Sequence, residues 1–179
     1  MQVDGEQVRT GDLSAHGRIL KKYSQEEREA LQSYVSSDTF FDIREAWRGG
    51  KAYPMEDGTD VFKLLDKASK RYKTQKPTKL YRALHVSKKQ KAEMRAGSDL
   101  VHDFYISTST DQGLAQPYGA GRGKKANVIM ELLVPEGVPT MPGMPDEWVF
   151  PPDTEMKVRR AVELSNGTLL LKVDVGIRR

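Results

Sequence analysis

Three short segments contain residue types suited to work on a phosphorylated sugar. They are Leu80-Tyr81-Arg82-Ala83-Leu84, Tyr105-Ile106-Ser107-Thr108-Ser109 and Asp146-Glu147-Trp148-Val149-Phe150-Pro151-Pro152. Each sets one polar residue on or beside an apolar, strand-like run: Arg82, Ser107 and Glu147. A guanidinium grips phosphate with a planar fork of donors. A carboxylate stabilises the positive charge that develops at an anomeric carbon when a glycosidic bond breaks. Taken singly, each residue is weak. Strand arginines mostly face solvent, serines are common at strand ends, and most glutamates lie on surfaces. Their order and settings carry the reading.

Other chemistries find less support. The chain has no cysteine, which excludes a disulfide framework and thiol catalysis. Its histidines, His16, His85 and His102, show no metal-ligand spacing. Gly119-Ala120-Gly121-Arg122-Gly123 lacks both the G-x-G-x-x-G spacing and an apolar strand immediately before it, and no phosphate-binding G-x-x-x-x-G-K-[ST] run occurs.

The elements that must hold these residues are legible in outline. Ser24-Gln25-Glu26-Glu27 matches a capping box, followed by Ala30, Leu31, Tyr34 and Val35 at helical spacing. A second helix is expected over Asp38–Arg48, with Phe40, Phe41, Ile43 and Trp47 on its apolar side and Gly49-Gly50 as its stop. Thr59 or Asp60 caps a third, whose apolar face is Val61, Leu64, Leu65 and Ala68. After Pro77 the pattern turns strand-like. Strands are expected at Leu80–Val86, Val101–Ser107, Val128–Val134, Trp148–Phe150, Met156–Leu164 and Thr168–Val175, with a short helix after Ser87 and helical turns over Asp111–Tyr118. Asn166-Gly167 reads as a hairpin turn in which both residues tolerate positive φ. Helices first and strands later predict an α+β fold with a mainly antiparallel sheet.

The 179 residues suit a single domain, 1–179, with residues 1–20 loosely held for want of apolar anchors. No apolar run is long enough to cross a bilayer, and the N-terminus lacks a secretory pattern, so a cytoplasmic protein or a leaderless delivered effector is expected. The net charge is +4, with basic clusters at Lys67–Lys79, Lys88–Lys91 and Arg122–Lys125. Such runs are usually solvated faces; the functional alternative is steering of an anionic ligand. No aromatic residues interleave with the lysines at regular spacing, so a stacking platform for single strands is not evident.

The three segments, in this order, resemble those of the Arg-Ser-Glu class of mono-ADP-ribosyltransferases found among bacterial toxins and phage enzymes. Tyr105-Ile106-Ser107-Thr108-Ser109 is similar to that family's aromatic-x-Ser-Thr-Ser segment, and Glu147 through Val158 is similar to its block of a glutamate, apolar residues, proline, threonine and valine. The resemblance spans roughly residues 20–175. It implies two packed, roughly perpendicular, mainly antiparallel β-sheets with N-terminal helices, and NAD, bound as a substrate without metal, in the cleft between the sheets. It implies Arg82 on a phosphate of NAD, with Tyr81 and Ala83 beside it and the main chain of the small residue on the nicotinamide amide. Ser107 would contact the nicotinamide ribose, and Thr108 and Ser109 would be structural. Tyr118 would close on the nicotinamide from a mobile loop, and Arg122 would reach the pyrophosphate. Glu147 would be the catalytic carboxylate, and Met144 and Asp146 would belong to the acceptor loop.

One departure bears on specificity. Arginine-specific members of that family carry a second glutamate two residues before the catalytic one, and asparagine-modifying members carry glutamine. Here the position is Pro145. The expected activity is transfer of ADP-ribose from NAD to a macromolecular target, a protein of a bacterial host or target cell, by a monomer. The alternatives are transfer to nucleic acid, NAD glycohydrolysis, and a noncatalytic basic binding module.

Overall fold

The computed structural model describes residues 16–36, 38–100, 102–111 and 125–176. Tyr118, Arg122, the glycine loop between them and the helical turns expected before them lie outside the described residues. So does most of the N-terminal segment expected to be loose. The described chain falls into two compact units. One comprises Met1–Lys73, Asp103–Ile106 and Pro139–Pro152; the other comprises Thr74–His102, Ser107–Val138 and Asp153–Arg179.

The first unit begins with α1 (residues 16–20), followed by α2 (Gln25–Val35), α3 (Phe40–Arg48) and α4 (Val61–Ser69). Ser24 caps α2 as expected, its hydroxyl accepting from the Glu27 N–H at 3.1 Å. The second half of a capping box is absent from the described bonds: Glu27 is buried and accepts two hydrogen bonds from Arg71, each 2.5 Å. An ionic fork is the stronger partner for that carboxylate. The stop at α3 follows the sequence, with Gly50 at φ 64° and the Lys51 N–H donating to Ala46 O at 2.8 Å. Phe41, expected on the apolar side, is 48% exposed, and the Arg44 guanidinium lies over its ring. Asp60 caps α4, accepting from the N–H groups of Phe62 and Tyr53. The core gathers Tyr34, Ile43, Val61 and Leu65, with Tyr34 edge-on to Tyr105 at 5.8 Å.

The second unit is built on β1 (Thr78–Leu84), α5 (Lys88–Glu93) and β2 (Ile106–Ser109), the last shared at its first residue with the first unit. It continues through β3 (Val128–Val134), β6 (Met156–Glu163) and β7 (Leu169–Val175); β4 (Met141–Pro142) and β5 (Glu147–Phe150) belong to the first unit. β1 pairs antiparallel with β3, β3 parallel with β7, and β7 antiparallel with β6. Val128, Met130, Leu132 and Val134 bury one face of β3 against solvent at alternate positions.

Three expectations shift. β1 ends at Leu84 rather than Val86, because the Asn127 side chain takes both the N–H and the C=O of Val86. β2 starts at Ile106, since Asp103 and Phe104 form a bend whose Asp103 carbonyl accepts from the Trp47 indole. In the β6–β7 turn only Gly167 has positive φ, at 84°, while the Asn166 side chain accepts from the Thr168 N–H. The seven strands follow one hydrogen-bonded order, β4-β5-β2-β1-β3-β7-β6, a mixed, mainly antiparallel sheet. Pairing therefore does not divide the described strands into the two sheets expected.

Candidate active site

Arg82 stands near the end of β1, opposite Met130 on β3, and is half-buried. Its Nη1 donates to the backbone carbonyl of Ser107 at 2.8 Å. The two residues expected to hold the ligand's phosphate and ribose are thus in direct contact within the second unit. A guanidinium carries five N–H donors in a fixed fork, and the bond to this carbonyl helps orient its plane. Tyr81 is half-buried and pairs with Ser109 and Glu131 across the two neighbouring strands. Ala83 has no exposed surface, main chain included, and pairs with Ile129 on β3.

Ser107 is half-buried, whereas Thr108 and Ser109 are 4% and 7% exposed. The Ser109 hydroxyl accepts from the Asp111 N–H at 3.1 Å, at the point where the strand ends. Ser107 is thus the most accessible of the three.

Glu147 opens β5 in the first unit, directly after a tight turn. The Glu147 N–H donates to Met144 O at 2.8 Å, with Pro145 and Asp146 at the central positions and Asp146 at φ 68°. Proline at the first central position and positive φ at the second is the pattern of a type II turn. Aspartate tolerates the left-handed region better than most residues. The turn also moves Asp146 off the strand, so the alternation that would point it away from Glu147 does not govern it.

The carboxylate of Glu147 folds back over this turn. Its Oε1 accepts from the Met144 N–H at 2.9 Å. A Cβ at Gly143 would lie 2.2 Å from that same oxygen. Only glycine leaves room for the carboxylate here. The main chain of Glu147 is held as well: its carbonyl accepts from the Gly143 N–H at 3.0 Å and from His16 Nε2 at 2.8 Å. Behind it, Trp148 lies against the His16 ring at 4.3 Å and stacks on Tyr72 at 5.4 Å. Met144, in the expected acceptor loop, is 46% exposed.

Gly143 and His16 escaped the sequence reading. The Pro142-Gly143-Met144-Pro145 run marks a turn, which is the local signal that Gly143 carries. For His16 no local signal exists. Two of the basic clusters are not simply solvated: Arg71 clamps Glu27, and Lys91, in α5, pairs with Glu163 and donates to the Gly167 carbonyl. Among the described residues no group of three His, Cys, Asp or Glu could hold a metal ion, and no helix is long and apolar enough to cross a membrane.

Neither a protein-family model nor a curated protein sequence matches the chain. Solved structures do. Plx2a, an ADP-ribosyltransferase toxin from Paenibacillus larvae, superposes with a TM-score of 0.73 at 18% identity, covering 97% of this chain and 96% of the toxin. The C3 exoenzyme of Clostridium limosum gives 0.70 at 17% identity, over 99% and 96%. Exoenzyme S from Pseudomonas aeruginosa, in a structure with human 14-3-3 protein beta and bound carba-NAD, gives 0.65 at 16% identity, over 96% and 88%. Across nearly its whole length, the chain has the fold of bacterial ADP-ribosyltransferase toxins.

Proposed function

We propose that this chain is a mono-ADP-ribosyltransferase that takes NAD as substrate and transfers ADP-ribose to a macromolecular acceptor, a protein of a bacterial host or target cell. The observation that supports this most is the contact of Arg82 with Ser107 in a chain of this fold. Arg82 grips a phosphate of NAD through its guanidinium. Ser107 contacts the nicotinamide ribose, with Tyr81 and Ala83 flanking Arg82 on β1. Tyr118 and Arg122, outside the described residues, complete the set. Residues 1–179 act as one transferase domain.

Glu147 supplies the electrostatic term. Its carboxylate accepts a hydrogen bond from the ribose 2′-hydroxyl and favours positive charge at the anomeric carbon as the bond to nicotinamide breaks. Nicotinamide leaves with the bonding electrons, and a nucleophile of the acceptor forms the new bond to that carbon. Because the carboxylate is held by Met144 and the turn, little reorganisation accompanies charge development.

Pro145 favours a second reading. A proline has no side-chain group to orient or deprotonate an acceptor, which supports NAD glycohydrolysis or an acceptor other than arginine, nucleic acid included. Incubation with NAD labelled in its ADP-ribose half, in a bacterial lysate, separates these outcomes. Label on protein is expected; label on nucleic acid or only in free ADP-ribose selects the second reading. No release of nicotinamide under any condition overturns both.

A further inference from the structure

His16 is remote from every motif in the chain, yet it touches the residue on which the proposed chemistry turns. It is 4% exposed, in α1, and its Nε2 donates to the Glu147 carbonyl across 131 positions of sequence. A carbonyl oxygen has two lone pairs. The Gly143 N–H takes one and His16 takes the other. The imidazole also lies on Trp148, the residue that follows Glu147. Leucine or phenylalanine could fill the same space against Trp148. The imidazole adds a donor aimed at the main chain of Glu147.

We propose that His16 is a positioning residue for Glu147, fixing the peptide plane from which the carboxylate projects. The inference rests on the catalytic role proposed for Glu147. The carboxylate fills the space that a Cβ at Gly143 would need, and it accepts from the Met144 N–H of the same turn. A rotation of the peptide after Glu147 carries the side chain off that bond. The carbonyl oxygen can only accept, so Nε2 carries the proton in this bond.

The test compares the full chain with His16→Phe, which keeps the ring and removes the donor, and His16→Gln, which restores an N–H at similar reach; Glu147→Gln is the control. Two readouts are taken: kcat and KM for nicotinamide release from NAD, and amide hydrogen exchange at Gly143 and Met144. His16→Phe is expected to lower kcat about tenfold or more, as small misplacements of a catalytic group do. Its KM should stay within about twofold, because ground-state binding is untouched. Exchange at both amides should quicken, and His16→Gln should recover most of both effects. Native kcat and native exchange in His16→Phe overturn the inference. So does an equal loss in both variants that follows a lowered melting temperature, which marks a packing role. If Glu147→Gln releases nicotinamide at the native rate, the catalytic reading of Glu147 falls instead, and exchange at Gly143 and Met144 still decides whether His16 holds the turn.

Discussion

Glu147→Gln keeps the side chain's shape and an oxygen able to accept from the Met144 N–H, and removes only the charge. Loss of one preorganised electrostatic group lowers turnover by roughly 10²–10³. NAD affinity should change far less, because the charge matters most in the transition state. Single-turnover nicotinamide release alongside calorimetric NAD binding checks both; full activity removes Glu147 from the site. Arg82→Lys retains a cation and a donor for the Ser107 carbonyl but loses the planar fork. The NAD dissociation constant should rise and turnover fall, and an unchanged constant by calorimetry means that Arg82 is not the phosphate anchor. Arg82, Ser107 and Glu147 stand out in the sequence because each is a polar residue at the edge of an apolar run, and the fold brings the first two into contact. Gly143 was half-legible, as part of a turn. His16 was not, because its partner lies far along the chain and only the folded main chain brings a donor to that carbonyl.

At the scale of elements, α2 is tied to the segment after α4 by the fork between Glu27 and Arg71. The bond from Arg71 holds the Glu27 carboxyl below its ordinary value of 4.5 despite burial, which acts the other way. A carboxylate whose folded value is depressed contributes its full stability above the ordinary value and loses it as pH falls through the folded one. Native protein should therefore exceed Glu27→Gln by about 1–2 kcal/mol near neutrality, discounted for the partial exposure of Arg71. The gap should close below the ordinary carboxylate value. Thermal melts of both across that range test this, and a gap that ignores pH argues against the fork. The turn before β5 makes a prediction about acceptors. With Pro145 in place of a carboxylate, agmatine should be modified poorly, since a guanidinium needs a nearby base to become nucleophilic. Asp146 is adjacent in the same turn. Agmatine modification by the native chain and by Asp146→Asn decides: activity lost on substitution assigns the acceptor role to Asp146, and robust activity that survives it refutes the specificity argument. Helix caps at Ser24, Asp60 and Ser87 were readable from local pattern. The ends of β1 and β2 were not, because a distant asparagine and an indole decide them.

For the molecule as a whole, β6 forms a sheet edge with a bulge between Val158 and Arg160, and Arg159, Arg160 and Glu163 along it. Bulges and charges on an edge oppose strand addition by a second copy. A monomer is expected, and light scattering that gives a concentration-dependent dimer contradicts it. The α+β class was legible from helices preceding strands. The strand order was not, because the parallel pairing of β3 with β7 joins stretches whose own patterns say nothing of each other. The same interleaving bears on how the protein is made. Each compact unit is assembled from three separate stretches of chain, and the first, which holds Glu147, needs residues up to Pro152. The second needs the stretch after that. The first unit therefore cannot close before its stretch up to Pro152 has been made, and contacts this distant in sequence form slowly. The turn that carries Glu147 is among the last parts of that unit to find its supports, so its fit against His16 is complete only when the earliest and the latest stretches of the unit have met.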